Sequence, residues 1–166
     1  VYNIADSTVA LISKERIQEP TFSPDGTKVA YGLNNNLYVK DLLSDVTLKI
    51  TSDGAKNKII NGITDWVYEE ELSFVRAFEW NATSNRIAFL KFDEANVPEF
   101  SMDVYGEELY QTQHVFKYPK AGEANSDVSL HIYDLTKKIS KEVLVQKTYE
   151  DFYIPRIKWT NDADVL

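Results

Sequence analysis

Cysteine is absent from the 166 residues. Without a thiol there is no disulfide framework, no thiolate metal site and no cysteine nucleophile, and the sequence carries no mark of its redox compartment. Imidazoles are scarce too, with His114 and His131 the only two. Six glycines and five prolines exclude collagen-like and low-complexity chains. No apolar run approaches the ~20 residues of a membrane-spanning helix. The amino-terminal Val1-Tyr2-Asn3-Ile4-Ala5-Asp6 has no basic stretch followed by an apolar one, so any signal or anchor is expected outside this chain. Positive charge is in deficit: 18 Lys and Arg stand against 26 Asp and Glu, a net charge of -8. That sign opposes attraction to nucleic-acid backbones and to anionic lipid, so nucleic acid is not an expected partner.

What remains is the material of a folded β domain. Hydrophobic residues make up 43% and aromatic residues 13%, with ten tyrosines and three tryptophans, and this composition favours strands. Period-two alternation marks short runs at Lys28-Val29-Ala30-Tyr31-Gly32, Asn36-Leu37-Tyr38-Val39-Lys40, Asn85-Arg86-Ile87-Ala88-Phe89 and Ser129-Leu130-His131-Ile132-Tyr133. Ser23-Pro24-Asp25-Gly26 is the clearest turn, since proline presets φ and glycine is free to take positive φ.

The unit repeats. Phe22-Ser23-Pro24-Asp25-Gly26-Thr27-Lys28-Val29-Ala30-Tyr31 aligns without a gap on Trp80-Asn81-Ala82-Thr83-Ser84-Asn85-Arg86-Ile87-Ala88-Phe89. A third copy, read as one residue shorter, starts at Trp159 and is still open at Leu166. Leu37-Tyr38-Val39-Lys40-Asp41-Leu42 matches Leu130-His131-Ile132-Tyr133-Asp134-Leu135. An aromatic strand, a turn, an Ala-aromatic strand and an outer strand ending in Asp-Leu is the pattern of four-stranded propeller blades. The expected fold is therefore all-β: a partial β-propeller of about three antiparallel blades, cut from a longer array.

Two insertions interrupt the repeats. The first, residues 61–75, contains Asp65-Trp66-Val67-Tyr68-Glu69-Glu70-Glu71, with Thr64 or Asp65 as the N-cap of a short helix and acids where the helix dipole favours them. The second, residues 93–127, holds eight acids against Lys117 and Lys120 alone. Strand-like stretches at Val104-Tyr105-Gly106 and His114-Val115-Phe116-Lys117-Tyr118 suggest an extended hairpin arm projecting from a blade.

The string Asn61-Gly62-Ile63-Thr64-Asp65-Trp66-Val67-Tyr68-Glu69-Glu70-Glu71, with Tyr118-Pro119-Lys120-Ala121-Gly122 and Leu37-Tyr38-Val39-Lys40, closely resembles the N-terminal propeller of the dipeptidyl peptidase IV family in the prolyl oligopeptidase clan. The resemblance implies an eight-bladed propeller capping an α/β-hydrolase domain that removes N-terminal dipeptides with proline or alanine in second place. It further implies that Glu70 and Glu71 bind the substrate's α-ammonium, that residues 97–118 contribute to a homodimer, and that the parent is periplasmic, secreted or surface-anchored. No cofactor, metal or catalytic residue is implied for this chain. The Gly-x-Ser-x-Gly elbow of the hydrolase does not occur in it, so it is expected to be inactive alone. The family's substrate-holding arginine lies upstream of Val1, and Arg16, Arg76, Arg86 and Arg156 inherit no role from it.

Each feature also has a plain structural reading. Glu69, Glu70 and Glu71, judged without their neighbours, read as a solvated helix face. Trp66 and Tyr68 read as packing groups that hold the helix on the blade. His114 and His131 lack metal-ligand spacing, and Asn81-Ala82-Thr83 matches a glycosylation sequon only weakly. Three function classes fit: the non-catalytic gating propeller of a serine exopeptidase, a propeller-type protein-binding module without a linked enzyme, and a calcium-binding β domain. The last has acidity in its favour but no Asp-x-Asp-x-Asp-Gly loop.

Overall fold

A computed structural model describes residues 1–145 and 152–166. Two short strands, β1 (Tyr2–Asn3) and β2 (Thr8–Val9), pair as a ribbon. The first full blade follows: β3 (Gln18–Phe22), β4 (Lys28–Leu33), β5 (Asn36–Asp41) and β6 (Thr47–Lys49) lie in sequence order, all antiparallel.

The second blade has a divided inner strand. β7 (Ile59–Asn61) and β8 (Phe78–Trp80) both pair with β9 (Arg86–Asp93), Ile59 facing Asp93 at one end and Trp80 facing Ile87 at the other. Between them the chain makes an excursion carrying the only helix among the described residues, α1 (Trp66–Glu70). Its two ends are stitched together by Ala77 N–H donating to Gly62 O at 3.0 Å and Thr64 N–H donating to Val75 O at 3.0 Å. β10 (Glu99–Val104) and β11 (Thr112–Lys117) form a separate two-stranded hairpin, in register from Glu99 opposite Lys117 to Val104 opposite Thr112. β12 (Asp127–Asp134) then returns beside β9, and β13 (Ile139–Val143) completes the sheet. The fold is thus nearly all-β and antiparallel, a partial propeller with one short helix and one projecting arm. Val104-Tyr105-Gly106 is not a strand: β10 stops at Val104, and Tyr105 and Gly106 begin the hairpin's connection.

The repeat seen in the sequence is kept atom by atom. Ser23 N–H donates to Lys28 O at 2.9 Å, Asn81 N–H to Arg86 O at 3.1 Å and Thr160 N–H to Val165 O at 2.9 Å. The third turn therefore closes at the same spacing, and Val165 stands where Lys28 and Arg86 stand. Gly26 and Ser84 occupy the same left-handed position, at φ 71° and 59°. The two Asp-Leu ends also match: Leu42 N–H donates to Thr27 O and Leu135 N–H to Asn85 O, each at 2.9 Å. Asp41 and Asp134 each cap the following turn with one carboxylate oxygen. These strands are third in their blades, and β6 and β13 lie outside them.

β9 explains how the blades stack. Ile87 and Phe89 point into one core with Ala30, Leu37, Val39, Phe78 and Trp80, while Ala88, Leu90 and Phe92 point into another with Tyr68, Val128 and Leu130. A strand buried on both faces loses the polar half of its alternation. Ile157, Trp159 and Leu166 pack on the second core from a stretch, 152–166, that forms no strand. Indole hydrogen bonds step from blade to blade: Trp80 Nε1 donates to Thr21 O at 3.3 Å, and Trp159 Nε1 to Glu79 O at 3.0 Å. Thr21 and Glu79 each precede the aromatic residue of their own repeat. No helix among the described residues is long and apolar enough to cross a membrane.

Candidate functional site

Five residues of helix are too few to be stable alone, so α1 must be held by its surroundings. Asp65 is its N-cap: Oδ1 accepts from Tyr68 N–H at 3.0 Å, and Oδ2 accepts from the Ser126 hydroxyl at 2.6 Å. Tyr68 points into the second core, edge-on to Phe92 and Phe74 with ring centroids 4.8 and 5.7 Å away. Its hydroxyl accepts from Ile154 N–H at 2.9 Å. Burial, reinforced by the charge of Asp65 and the neighbouring Tyr153, pushes the Tyr68 phenol up to about 12. Trp66 turns away from the blade and lies against Tyr118 at the foot of the arm, 4.3 Å between centroids. Of the two expected packing groups, then, Tyr68 packs on the blade and Trp66 on the arm.

This anchoring leaves the acidic triplet outward. Glu69, Glu70 and Glu71 are all exposed. Glu70 is the last helical residue and Glu71 the C-cap, with helical φ and ψ of -90° and -33°. Among the described residues no hydrogen bond or ion pair reaches the carboxylates of Glu70 and Glu71, although eight ion pairs form elsewhere. Glu71 borders a cavity of about 890 Å³ between the helix and the arm, walled by Trp66, Phe100, Phe116, Tyr118 and Tyr153. Glu69 faces a separate hollow of about 490 Å³ on the other side of Trp66, shared with Asp65, Glu94, His114 and Lys117. Glu69 and Glu71 therefore border different spaces, and Glu70 lines neither of the two.

The remaining candidates hold structural positions. His131 stacks on Phe89 with centroids 5.3 Å apart and shares a hydrogen bond with Ser129, and burial lowers its pKa. Exposed His114 lies beside Phe116. Asn81 is fully buried, its Nδ2 donating to Thr83, Asn85 and Ala163, so the sequon asparagine serves as a clasp between turns. Among the described residues no three His, Asp or Glu side chains converge as metal ligands. Sequence reasoning missed Ser126, Tyr118 and Ile154 as supports of α1. Only the Asp65 cap had a local signal, since the other partners lie more than fifty residues away in sequence.

A helix set into the inner strand of an antiparallel blade, with an arm rising beside it, defines a partial β-propeller carrying two insertions. The chain belongs to the dipeptidyl peptidase IV family: the profile of the "Dipeptidyl peptidase IV (DPP IV) N-terminal region" matches residues 1–166. It is 34% identical over 157 residues to the human prolyl endopeptidase FAP, covering 90% of this chain and 20% of that protein. It is 40% identical over 148 residues to a probable dipeptidyl-aminopeptidase B of Trichophyton verrucosum, covering 82% and 16%. Among solved structures, Porphyromonas gingivalis dipeptidyl peptidase 4 superposes with a TM-score of 0.93 at 41% identity, covering 98% of this chain and 23% of that one. A putative dipeptidyl aminopeptidase IV of Bacteroides ovatus, at 22% identity and TM-score 0.73, shares the fold. The chain thus spans about a fifth of the length of these relatives.

Proposed function

We propose that this chain is the substrate-gating propeller portion of a serine-type dipeptidyl peptidase that removes X-Pro and X-Ala dipeptides, and that Glu70 and Glu71 bind the substrate's α-ammonium. The nucleophile, base and oxyanion hole come from a hydrolase domain of the same polypeptide, working outside the cytoplasm. The arm at residues 97–118 joins two copies. The observation that carries the reading is the pair of exposed carboxylates, unpaired among the described residues, on a helix fixed at both its cap and its core face.

An α-ammonium is the one group that separates a peptide's end from its interior, so an exopeptidase needs fixed negative charge at a set distance from its nucleophile. One carboxylate ~4 Å from an ammonium contributes on the order of 4 kcal/mol before desolvation at an effective dielectric near 20. Two carboxylates can share its three N–H donors. Neighbouring helical positions point about 100° apart, and the length of glutamate lets Glu70 and Glu71 converge on one cation from the helix end.

In the full-length parent, Glu70→Gln and Glu71→Gln should each lower kcat/KM for dipeptide anilides while the fold stays intact. A change within twofold for both, about 0.4 kcal/mol, would return the pair to a solvated face.

A further inference from the structure

The carboxylate of Asp65 is divided between two elements. One oxygen caps α1 through Tyr68 N–H, and the other takes the hydroxyl of Ser126, in the segment that leads from the arm back into β12. Asp65 is 7% exposed, so neither oxygen has ready recourse to water. A short hydrogen bond to a buried carboxylate is among the stronger kinds, and leaving one carboxylate oxygen without a partner costs more than the bond itself contributes. The surroundings sharpen this. Glu94, 6% exposed, borders the same hollow, and its pKa is raised by burial and by the charge of Asp65. Without the Ser126 hydroxyl, Asp65 would be a buried anion facing a second acid with half its acceptors empty. Turning toward water would take Oδ1 off Tyr68 N–H.

Such a turn reaches Glu70 and Glu71 because α1 is one and a half turns long. Tyr68, held in the core by its ring and by Ile154, is a pivot that keeps the helix attached. The cap end, together with Trp66 against Tyr118, fixes rotation about that pivot. Asn125, next to Ser126, borders the same cavity as Glu71, so the arm's return segment and the clamp share one wall.

We infer that Ser126 is a positioning residue for the Glu70–Glu71 amine site, setting its orientation through Asp65. The inference rests on the amine-clamp reading and is tested separately from it in the full-length enzyme. The readout is the ratio of inhibition constants for alanyl-pyrrolidide and its des-amino counterpart, propionyl-pyrrolidide, which have no bond after the five-membered ring to cleave and so isolate recognition of the ammonium. Ser126→Ala should compress that ratio by about fivefold, the worth of one such hydrogen bond. Ser126→Thr, which keeps the hydroxyl, should hold the ratio near the parent's. Ser126→Val, the same shape without the hydroxyl, should compress it as alanine does and serves if the alanine variant fails to fold. Equal weakening toward both ligands, or a valine variant indistinguishable from threonine, would overturn the positioning role while leaving the clamp standing. If Glu70→Gln and Glu71→Gln also leave the ratio unchanged, the clamp and the positioning role fall together.

Discussion

Glu94 shows how a single side chain reports on its surroundings. Burial first, and then the charge of Asp65, raise its pKa above the ordinary carboxylate value, while Lys117 and the Asn57 backbone N–H pull the other way and Asp93 adds a small push upward. Lys117 is held elsewhere, donating to Val97 O at 2.8 Å and lying 3.7 Å from Glu99. The folded state therefore binds the Glu94 proton more tightly than the unfolded chain does. Its contribution is fully present below the ordinary pKa and is lost as pH rises through the raised one. Glu94→Gln, which is neutral at every pH, should gain in melting temperature relative to the parent sequence as pH rises from about 4 to about 8. Parallel curves would mean that Glu94 is solvated after all. The sequence marked Glu69, Glu70 and Glu71 as a group because they are adjacent. It could not show that Glu71 and Glu69 open onto different cavities, since that depends on Trp66 standing between them against Tyr118.

At the scale of elements, blade-to-blade register is carried by the first aromatic residue of the second and third repeats, Trp80 and Trp159. Trp80 is 7% exposed and joins the core between the first two blades, and its indole N–H reaches back to Thr21 O. Trp80→Phe keeps most of the apolar contact but removes that donor and leaves space beside Ala30 and Ile87. The lost bond and partial cavity together should cost about 1–3 kcal/mol. Urea unfolding should show this as a lower midpoint with an unchanged slope. An unchanged midpoint would make the indole bond dispensable. The repeats were legible because each blade re-uses one local recipe: the turn at Ser23 or Asn81 and the carboxylate cap at Asp41 or Asp134 involve residues within five positions of one another. The divided inner strand was not legible. β7 and β8 become collinear only because both find β9, and no local pattern announces that Gly62 and Ala77 will meet. The first arm strand was misplaced for a related reason. β10 is exposed along its whole length, so no buried face imposes an alternation on its sequence.

For the molecule as a whole, the arm is tied to its own blade at its foot, where Trp66 lies against Tyr118 and Asn57 Nδ2 donates to Glu99 Oε1 at 3.2 Å. Among the described residues β10 and β11 pair only with each other. An isolated two-stranded hairpin is marginal in water, and this one ends in Tyr105, Leu109 and Tyr110, which are 79%, 98% and 82% exposed. A second copy docked through the proposed interface would cover them, and a two-fold contact is the usual form. Charge works against it. Residues 93–127 carry eight acids and two lysines, and Lys117 is turned inward onto Val97 O and Ala95 O, leaving Lys120 as the segment's lysine whose side chain is unpaired among the described residues. Two such arms repel at long range while their apolar tips attract at contact. Salt screens the first effect and leaves the second, with the Debye length falling to about 8 Å at physiological ionic strength. A dimer joined through the arm, as proposed, should therefore tighten as salt rises from about 0.05 M to about 0.5 M, the reverse of an interface held by ion pairs. Glu99 and Lys117 already face each other in register, so replacing residues 100–116 with a two-residue Asn-Gly turn removes the arm with little disturbance of its foot. Sedimentation velocity of that variant should show monomer at every salt concentration. A dimer that survives the excision, or one that loosens with salt, would place the contact elsewhere and leave the arm's apolar tip to another partner.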